Sequence, residues 1–593
     1  MKMLFRYMKP YSSMIFVTMT LKLLGTMCEL TLPYILEHIV DDVVPTRQAL
    51  QAVFWGLLMF LAAIACRQLN SKANSRAVHN SHRVSYDIRQ DLFHKTSNLS
   101  GSQFDAFGLP SLISRMTSDS YNVQSAVQSI QVMCVRIPIM MLGGVCMTLL
   151  MDRSLAMILV TMLPILIVLV IVISAKGIPL YNRVQERLDD VVRILRENIT
   201  GIRVVKALSK TDYEKRRFAA ANQAMASSDI LAGSVMAMPA PVMQLFLNTG
   251  LTLIVLFGAS RVNAGLMKPG VILAFLTYFN MISQGVMGLN RIFMMLSKAS
   301  ASADRIERVL QTETDQKILT IEEAKKPAGE EFIRFEQVSF SYGGAGEAPA
   351  AAETPDPSAF GTGKRQKALE GIDFAVKKGE SLGIIGPTGC GKTTIINLLM
   401  RFYDADEGGV FVGGRDVRTY EKDELHRLFG AAFQNDIVFQ DTLRENINFG
   451  RNLTDAQIRK AVECAMAAEY IDGLEDGLMH QAAIKGANLS GGQKQRLLVA
   501  RALAGEPQIL VLDDSSSALD YRTDASMRKE IAAHYPETTL IMIAQRVSSV
   551  MNMTNILVLD DGRCIGYGNH TWLLAHCPEY KEIYDTQMGA MIG

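Results

Sequence analysis

The chain has almost no net charge: 60 Lys and Arg against 59 Asp and Glu leave +1 over 593 residues. A surface built to neutralise phosphates along a strand needs a basic excess, so nothing global points to nucleic acid. Its 44 Gly and 18 Pro follow no three-residue period, which excludes a collagen-like fibre, and a 49% hydrophobic composition excludes wholesale disorder. The eight cysteines form no CxxC pair and no metal-ligand spacing. Cys28, Cys66, Cys134 and Cys146 lie in apolar runs, and Cys390, Cys464, Cys564 and Cys577 in the second half, so all eight read as free thiols of a reducing compartment. No secretory leader fits either. MKMLFRYMKPYSS is basic, but the apolar run after it is long and has no small-residue cleavage site.

What is present divides between two solvents. A mean hydropathy of +0.15 with 20% charged residues is too apolar for a soluble multidomain enzyme and too charged for a protein wholly inside a bilayer. Of 33 Met, 24 fall in residues 1–300, the pattern of adaptable lipid-facing or loosely specified interior surface. Six apolar stretches, near 14–40, 52–76, 131–151, 155–175, 236–258 and 270–295, have about the length needed to cross ~30 Å of hydrocarbon as helices. LAMILVTMLPILIVLVIVIS (Leu155–Ser174) carries no charge at all, whereas the first span holds Lys22 and Glu29, which must be sheltered in a bundle. Lys2, Arg6 and Lys9 precede that span, and Glu37, Asp41 and Asp42 outnumber Arg47 after it. The N-terminus is therefore expected in the cytoplasm, and six spans return the C-terminus there, as in a multi-pass protein of the cytoplasmic membrane. The long, polar, helix-periodic segments 77–130 and 176–235 read as membrane helices continuing into the cytosol.

Near Ser297 the character changes. SKASASADRIERVLQTETDQ reads as a polar helix leaving the membrane, and FIRFEQVSFSY (332–342) alternates like a strand. The expected organisation is a transmembrane domain over 1–300, a linker over 301–330 and a second domain over 331–593. That domain is interrupted by a flexible Ala-, Gly- and Pro-rich insert at 343–367. After the apolar run Ser381–Ile385 comes Gly386-Pro387-Thr388-Gly389-Cys390-Gly391-Lys392-Thr393-Thr394, a phosphate-binding loop in its required setting of strand, Gly-rich turn and helix. The glycines let backbone N–H groups curl around a β-phosphate, Lys392 places a point charge on the β- and γ-phosphates, and Thr393 offers a hydroxyl to Mg2+. Ile509-Leu-Val-Leu-Asp513-Asp514 reads as a buried strand that delivers a carboxylate to the same ion.

Between these motifs stands Leu489-Ser490-Gly491-Gly492-Gln493, followed by KQR. LSGGQ at the start of a helix resembles the signature of ATP-binding cassette (ABC) proteins, and six spans followed by a cassette resemble a half-transporter of the type IV exporter class. The resemblance covers nearly the whole chain. It implies an α-helical transmembrane domain of six spans with long cytoplasmic extensions, plus an α/β P-loop nucleotide-binding domain, using ATP and Mg2+. It implies that Tyr342 stacks on adenine, that Gln434 in AAFQNDIVF is the Q-loop glutamine reaching Mg2+, and that Ser517 to Asp520 form the D-loop. It also makes FDAFGLPSLISRMTSD (104–119) and RENITGIRVVKAL (196–208) cytoplasmic loops whose short coupling helices dock on cassettes.

Three positions depart from the family. Hydrolytically competent members carry Glu after the Walker B Asp, where it polarises the attacking water; here that residue is Asp514. One methylene less withdraws the carboxylate by ~1.5 Å, and a misplacement of about 1 Å can cost ~10²-fold. The switch histidine is Gln545, a neutral amide that hydrogen-bonds but supplies no positive charge. Lys485 in AIKGAN stands where an acidic residue is usual. In the family two cassettes close head to tail, so each ATP lies between one subunit's Walker motifs and the other's signature. The expectation is one half of a heterodimer: its own site is degenerate at Asp514 and Gln545, and its intact LSGGQ completes the competent site of a second, non-identical half-transporter. The alternatives are a slowly hydrolysing homodimer and an ATP-gated channel or regulatory subunit. Phe275, Tyr278, Phe279, Met281, Met287 and Met294 with Asn248 and Asn280 suit an amphipathic or hydrophobic substrate, multidrug-like or lipid-like, or else ordinary helix packing.

Overall fold

The computed structural model describes residues 2–320, 322–323, 325, 327–343, 367–434, 436–514 and 518–589. The side chains of 166, 169–171, 173–178, 182, 239–240, 290 and 588–589 are outside that description. By its contacts the chain forms two units, Met1–Ser97 with Pro110–Thr312, and Asn98–Leu109 with Glu313–Gly593.

The first unit is helical throughout. Its main helices are Ser12–His38, Ala49–Ser97, Ser120–Met151, Arg153–Thr200, Thr211–Ala237, Pro239–Asn263 and Pro269–Gln311. Among the described residues five helical stretches are long and apolar enough to cross a membrane: Lys2–Thr46, Ala49–Ser97, Leu109–Met151, Thr211–Asn263 and Pro269–Gln311. The expected span 155–175 lies within Arg153–Thr200. Its start, Arg153–Ile165, is apolar, and much of the remainder falls on side chains outside the description.

Shelter for the ionic residues of the first span comes from partners far along the chain. Lys22 is 2% exposed, and its Nζ donates to Asn70 Oδ1 at 2.7 Å and Asn74 Oδ1 at 3.2 Å, one helical turn apart on the second helix. Glu29 accepts from Arg136 Nη2 at 2.9 Å. A third tier has Asn80 donating to Thr18 Oγ1 at 3.1 Å and Gln131 Oε1 at 2.9 Å. Three helices are thus cross-linked by polar groups that hydrocarbon cannot satisfy. At the other end Asp41 accepts from the backbone N–H groups of Gly270 and Val271, filling the N-cap role at the start of Pro269–Gln311. Phe275, Tyr278 and Phe279 are 0–2% exposed, and the Tyr278 hydroxyl donates to Leu30 O at 2.6 Å, so these aromatics serve helix packing. Met287, at 47%, faces outward.

The second unit is α/β. One sheet has the order β2-β1-β4-β5, from β1 (Ile333–Ser341), β2 (Lys367–Val376), β4 (Glu407–Val412) and β5 (Arg415–Asp416), all pairs antiparallel. The other has the order β10-β9-β3-β8-β7-β6, from β3 (Ser381–Ile385), β6 (Phe429–Ala432), β7 (Ile509–Asp513), β8 (Thr539–Ile543), β9 (Asn555–Asp560) and β10 (Arg563–Gly568). From β9 to β6 the pairing is parallel. Every residue of β7 is buried, as a parallel strand covered on both faces requires, and its near-uniform apolar run follows from that. Residues 344–366, nearly all of the expected insert, lie outside the described residues between β1 and β2.

Asn98–Leu109 joins this unit although it falls in the transmembrane half of the sequence. Ser100 caps the helix Gly101–Phe107 in a reciprocal capping box with Gln103. Gly101 N–H donates to Phe402 O at 3.1 Å, Asp105 accepts from the Tyr403 hydroxyl at 2.6 Å, and the Ser100 hydroxyl donates to Asp315 at 2.9 Å. The helix Gly101–Phe107, which overlaps the start of the stretch 104–119, is therefore held by polar bonds at both ends.

Ser100→Ala removes the cap and one of those bonds, and should cost about 1–2 kcal/mol locally, read as faster amide exchange across 101–107 with little change elsewhere. Glu29→Arg should lower the melting temperature of the purified protein by the equivalent of about 2 kcal/mol. Pairing it with Arg136→Glu should restore most of the loss, because the two charges then meet again.

Candidate ATP site

Strand β3 lies between β9 and β8, and its C-terminal end runs into the Gly-rich turn and the helix Lys392–Leu399. Gly386 has φ +156°, and a Cβ there would stand 2.1 Å from Leu559 O. Gly391 has φ +97°, with a Cβ position 2.6 Å from Ala368 O. Only glycine passes both points. Pro387, Thr388 and Gly389 form the exposed lip of the turn, and Cys390 is buried beneath it, where burial pushes its thiol above the ordinary range. Lys392 Nζ donates to the loop's own carbonyls, Gly386 O at 2.8 Å and Pro387 O at 2.7 Å. Tyr342, at the exit of β1, donates its hydroxyl to Thr394 Oγ1 at 3.2 Å and accepts from Asn397 Nδ2 at 3.1 Å. Its ring meets Tyr403 edge-on at 5.3 Å.

Strands β8, β7 and β6 are adjacent and parallel, so the loops leaving their C-terminal ends open on one side of the sheet, where α/β proteins bind ligands. The last residue of β7, Asp513, is 2% exposed and accepts from Thr393 Oγ1 at 3.0 Å. Asp514 follows in the left-handed region at φ +51°, which turns its side chain out of the strand direction while its N–H donates to Ile543 O at 3.0 Å. Its Oδ2 accepts from both Gln434 Nε2 at 3.1 Å and Gln545 Nε2 at 3.0 Å. The loops after β6, β7 and β8 thus converge on one carboxylate oxygen.

Burial is the largest influence on both acids and lifts each above the usual carboxylate range. At Asp513 the Thr393 bond opposes this and the neighbouring Asp514 charge adds to it. At Asp514 the positive Lys392 and Arg546 and the two amides pull the other way. Thr393 and Asp513 together offer hard oxygen donors 3.0 Å apart, and the buried Asp513 carboxylate has spare lone pairs, a donor set that fits Mg2+.

The other expected site residues lie apart from this cluster. Ser490 caps the helix Gly491–Leu503 in a capping box with Gln493, and Leu489 N–H donates to Gly486 O at 3.0 Å. Gly491 and Gly492 abut Ala518, so the signature and the D-loop of one chain support each other. Asp520 caps Tyr521–His534, accepting from Thr523 N at 2.9 Å and the Thr523 hydroxyl at 2.7 Å. Ser517 lies outside the described residues. Sequence reasoning missed Asn397 behind Tyr342 and Gln587, whose amide reaches the Gln545 loop. Asn397 lies five residues past Lys392 on the same helix, a spacing that could have suggested it; nothing local marks Gln587.

A helical membrane unit joined to an α/β nucleotide-binding unit, with a P-loop, a buried Walker acid and an LSGGQ helix start, defines an ABC transporter. Family matches agree, with the ABC transporter transmembrane region over residues 15–286 and ABC transporter over 369–517. The ABC transporter ATP-binding protein YfiB of Bacillus subtilis is 32% identical over 590 residues, 98% of each chain. The ATP-dependent lipid A-core flippase of Desulfotalea psychrophila is 31% identical over 505 residues, 84% of each. A solved structure of a bacterial Atm1-family ABC exporter with ATP bound superposes with a TM-score of 0.77 at 21% identity, covering 97% of this chain and 98% of that one, and shares its fold. The chain belongs to the ABC transporter family. It is a membrane-embedded ABC transporter subunit that carries its own ATP-binding domain, an ABC-type ATPase.

Gly386→Ala places a methyl against the Leu559 carbonyl and should abolish nucleotide binding, measured by fluorescent ATP-analogue titration. Thr388→Ala on the exposed lip should leave the unfolding free energy within about 0.5 kcal/mol of the parent, measured by denaturant titration.

Proposed function

We propose that this half-transporter exports a small amphipathic or hydrophobic solute as one half of a heterodimer, with its own Walker site degenerate. Both termini and the cassette are cytoplasmic, as Lys2, Arg6 and Lys9 before the first span imply. Residues 1–300 form the transmembrane domain, 301–330 the linker and 331–593 the nucleotide-binding domain.

ATP lies with its adenine on Tyr342 and its phosphates in the turn Gly386–Thr394. A phosphate gives Lys392 a charge-assisted acceptor stronger than the carbonyls of Gly386 and Pro387. Thr393 and Asp513 hold Mg2+, with Gln434 reaching it, and the ion supplies neutralisation of charge on the β- and γ-phosphates. Leu489 to Gln493 face the γ-phosphate held by the partner, and Ser517 to Asp520 line the shared interface.

The observation that carries the degenerate reading is the double amide bond to Asp514. A general base must turn a free lone pair to the attacking water. Here Oδ2 is occupied by Gln434 and Gln545, on a side chain already one methylene short. Closing two cassettes over such a site favours retention of ATP over its cleavage. Turnover then falls to the partner's site, which this chain's LSGGQ completes. For the substrate, a lipid-like solute gains support from the similarity to a lipid A-core flippase and from outward-facing Met287 and Met294.

The purified chain alone should hydrolyse ATP slowly. Asp514→Glu combined with Gln545→His should raise its kcat at least ~10-fold, since each restores a group placed for water or phosphate. Robust turnover by the parent chain alone, abolished by Asp514→Asn, would overturn the heterodimer reading.

A further inference from the structure

The loop between β8 and the short helix Val547–Val550 carries Gln545, yet it lacks a cap of its own. Arg546 sits at the N-cap position and makes no side-chain cap bond, because a guanidinium has donors only. The missing acceptor comes from the C-terminal helix Pro578–Gly589. Gln587 Oε1 accepts from Val547 N–H at 2.8 Å, and Gln587 Nε2 donates to Gln545 O at 3.0 Å. One amide thereby takes both backbone groups that flank Arg546.

The clamp has a firm base. Tyr580 on the same helix is fully buried, with its hydroxyl 2.8 Å from His570 Nδ1. The far end of Val547–Val550 is fixed separately, through Arg528 Nη1 donating to Ser549 O at 3.0 Å. Ala544 N–H, just before, bonds Ile384 O, and Arg546 O accepts from Ser549 N–H; between these points Gln587 holds the peptide segment from which the Gln545 side chain leaves toward Asp514 Oδ2, 3.0 Å away.

We infer that Gln587 is a positioning residue for the nucleotide site: its amide fixes the backbone at Gln545 and Val547, and so aims Gln545 at the Asp514 carboxylate and the γ-phosphate. The inference rests on the reading of Gln545 as the switch residue. ATP and ADP differ at this site only in the γ-phosphate. Loss of the clamp should therefore weaken ATP and spare ADP, whereas general damage to the cassette would weaken both.

The test uses the full-length chain in lipid nanodiscs, with Mg-ATP and Mg-ADP affinities taken by displacement of a fluorescent ATP analogue. Gln587→Leu, similar in volume but without the amide, should weaken ATP by about 3–10-fold, the worth of one or two hydrogen bonds, and ADP by less than ~2-fold. Gln587→Glu keeps the acceptor for Val547 N–H but sets a carboxylate against Gln545 O, and should do no better. Gln545→Ala should weaken ATP at least as much, and the Gln545→Ala, Gln587→Leu double variant should match Gln545→Ala alone, because Gln587 acts through Gln545. Hydrogen exchange at Val547 should accelerate in Gln587→Leu and remain slow in Gln545→Ala. Equal losses of ATP and ADP, additive losses in the double variant, or unchanged exchange at Val547 would each overturn the inference. Should Gln545→Ala leave the ATP-to-ADP ratio untouched, the switch reading itself fails and the role of Gln587 toward nucleotide falls with it; the Val547 exchange then still tells whether the clamp exists.

Discussion

The candidate ATP site depends on one constraint, the parallel pairing of β3, β8, β7 and β6. Parallel strands end in register, so the four loops that leave them open on the same edge without further instruction. That brings Thr393 after β3 onto Asp513 at the end of β7, and Gln434 after β6 and Gln545 after β8 onto Asp514, with the Lys392 charge near enough for both acids to feel it. Slip any strand by one residue and the side chains change faces. The buried runs of β3 and β7 prevent that slip, because each register shift would expose or cavitate a filled core.

Upon that frame the site concentrates unlike chemistries. Asp513 and Asp514 are buried side by side, an arrangement that burial alone disfavours for two charged carboxylates. Thr393 relieves one and two amides relieve the other. The two adjacent residues differ in their partners: Asp513 accepts from the Thr393 hydroxyl, whereas Asp514 is engaged by glutamines from two loops. The membrane unit follows the same logic with other materials. Lys22 with Asn70 and Asn74, and Glu29 with Arg136, put ionic groups where lipid would penalise them, and three helices are bound together as a result.

Much of this was readable along the chain because the signals are local. A Gly-rich turn between an apolar strand and a helix announces itself, as do ILVLD and LSGGQ, since strand, turn and cap chemistry act over a few residues. The helix Gly101–Phe107 starts three residues before the stretch 104–119 that the resemblance marks, because its start is set by the Ser100–Gln103 capping box, a polar signal outside the apolar letters. Arg136 stands in plain sight in QVMCVRIPIM, yet its partner Glu29 is 107 positions away. Gln587 likewise reaches Val547 across 40 positions. Such pairs have no period and no spacing.

The sequence by itself determined that an apolar helical half is joined to an α/β half, and which residues line the phosphate turn. Those facts follow from hydropathy and from backbone geometry that only glycine satisfies. Tertiary structure decided which charge shelters which, that Asn98–Leu109 packs with the cassette, and that two glutamines share one oxygen of Asp514. These are pairings between distant segments, created only when the strands and helices have taken their register.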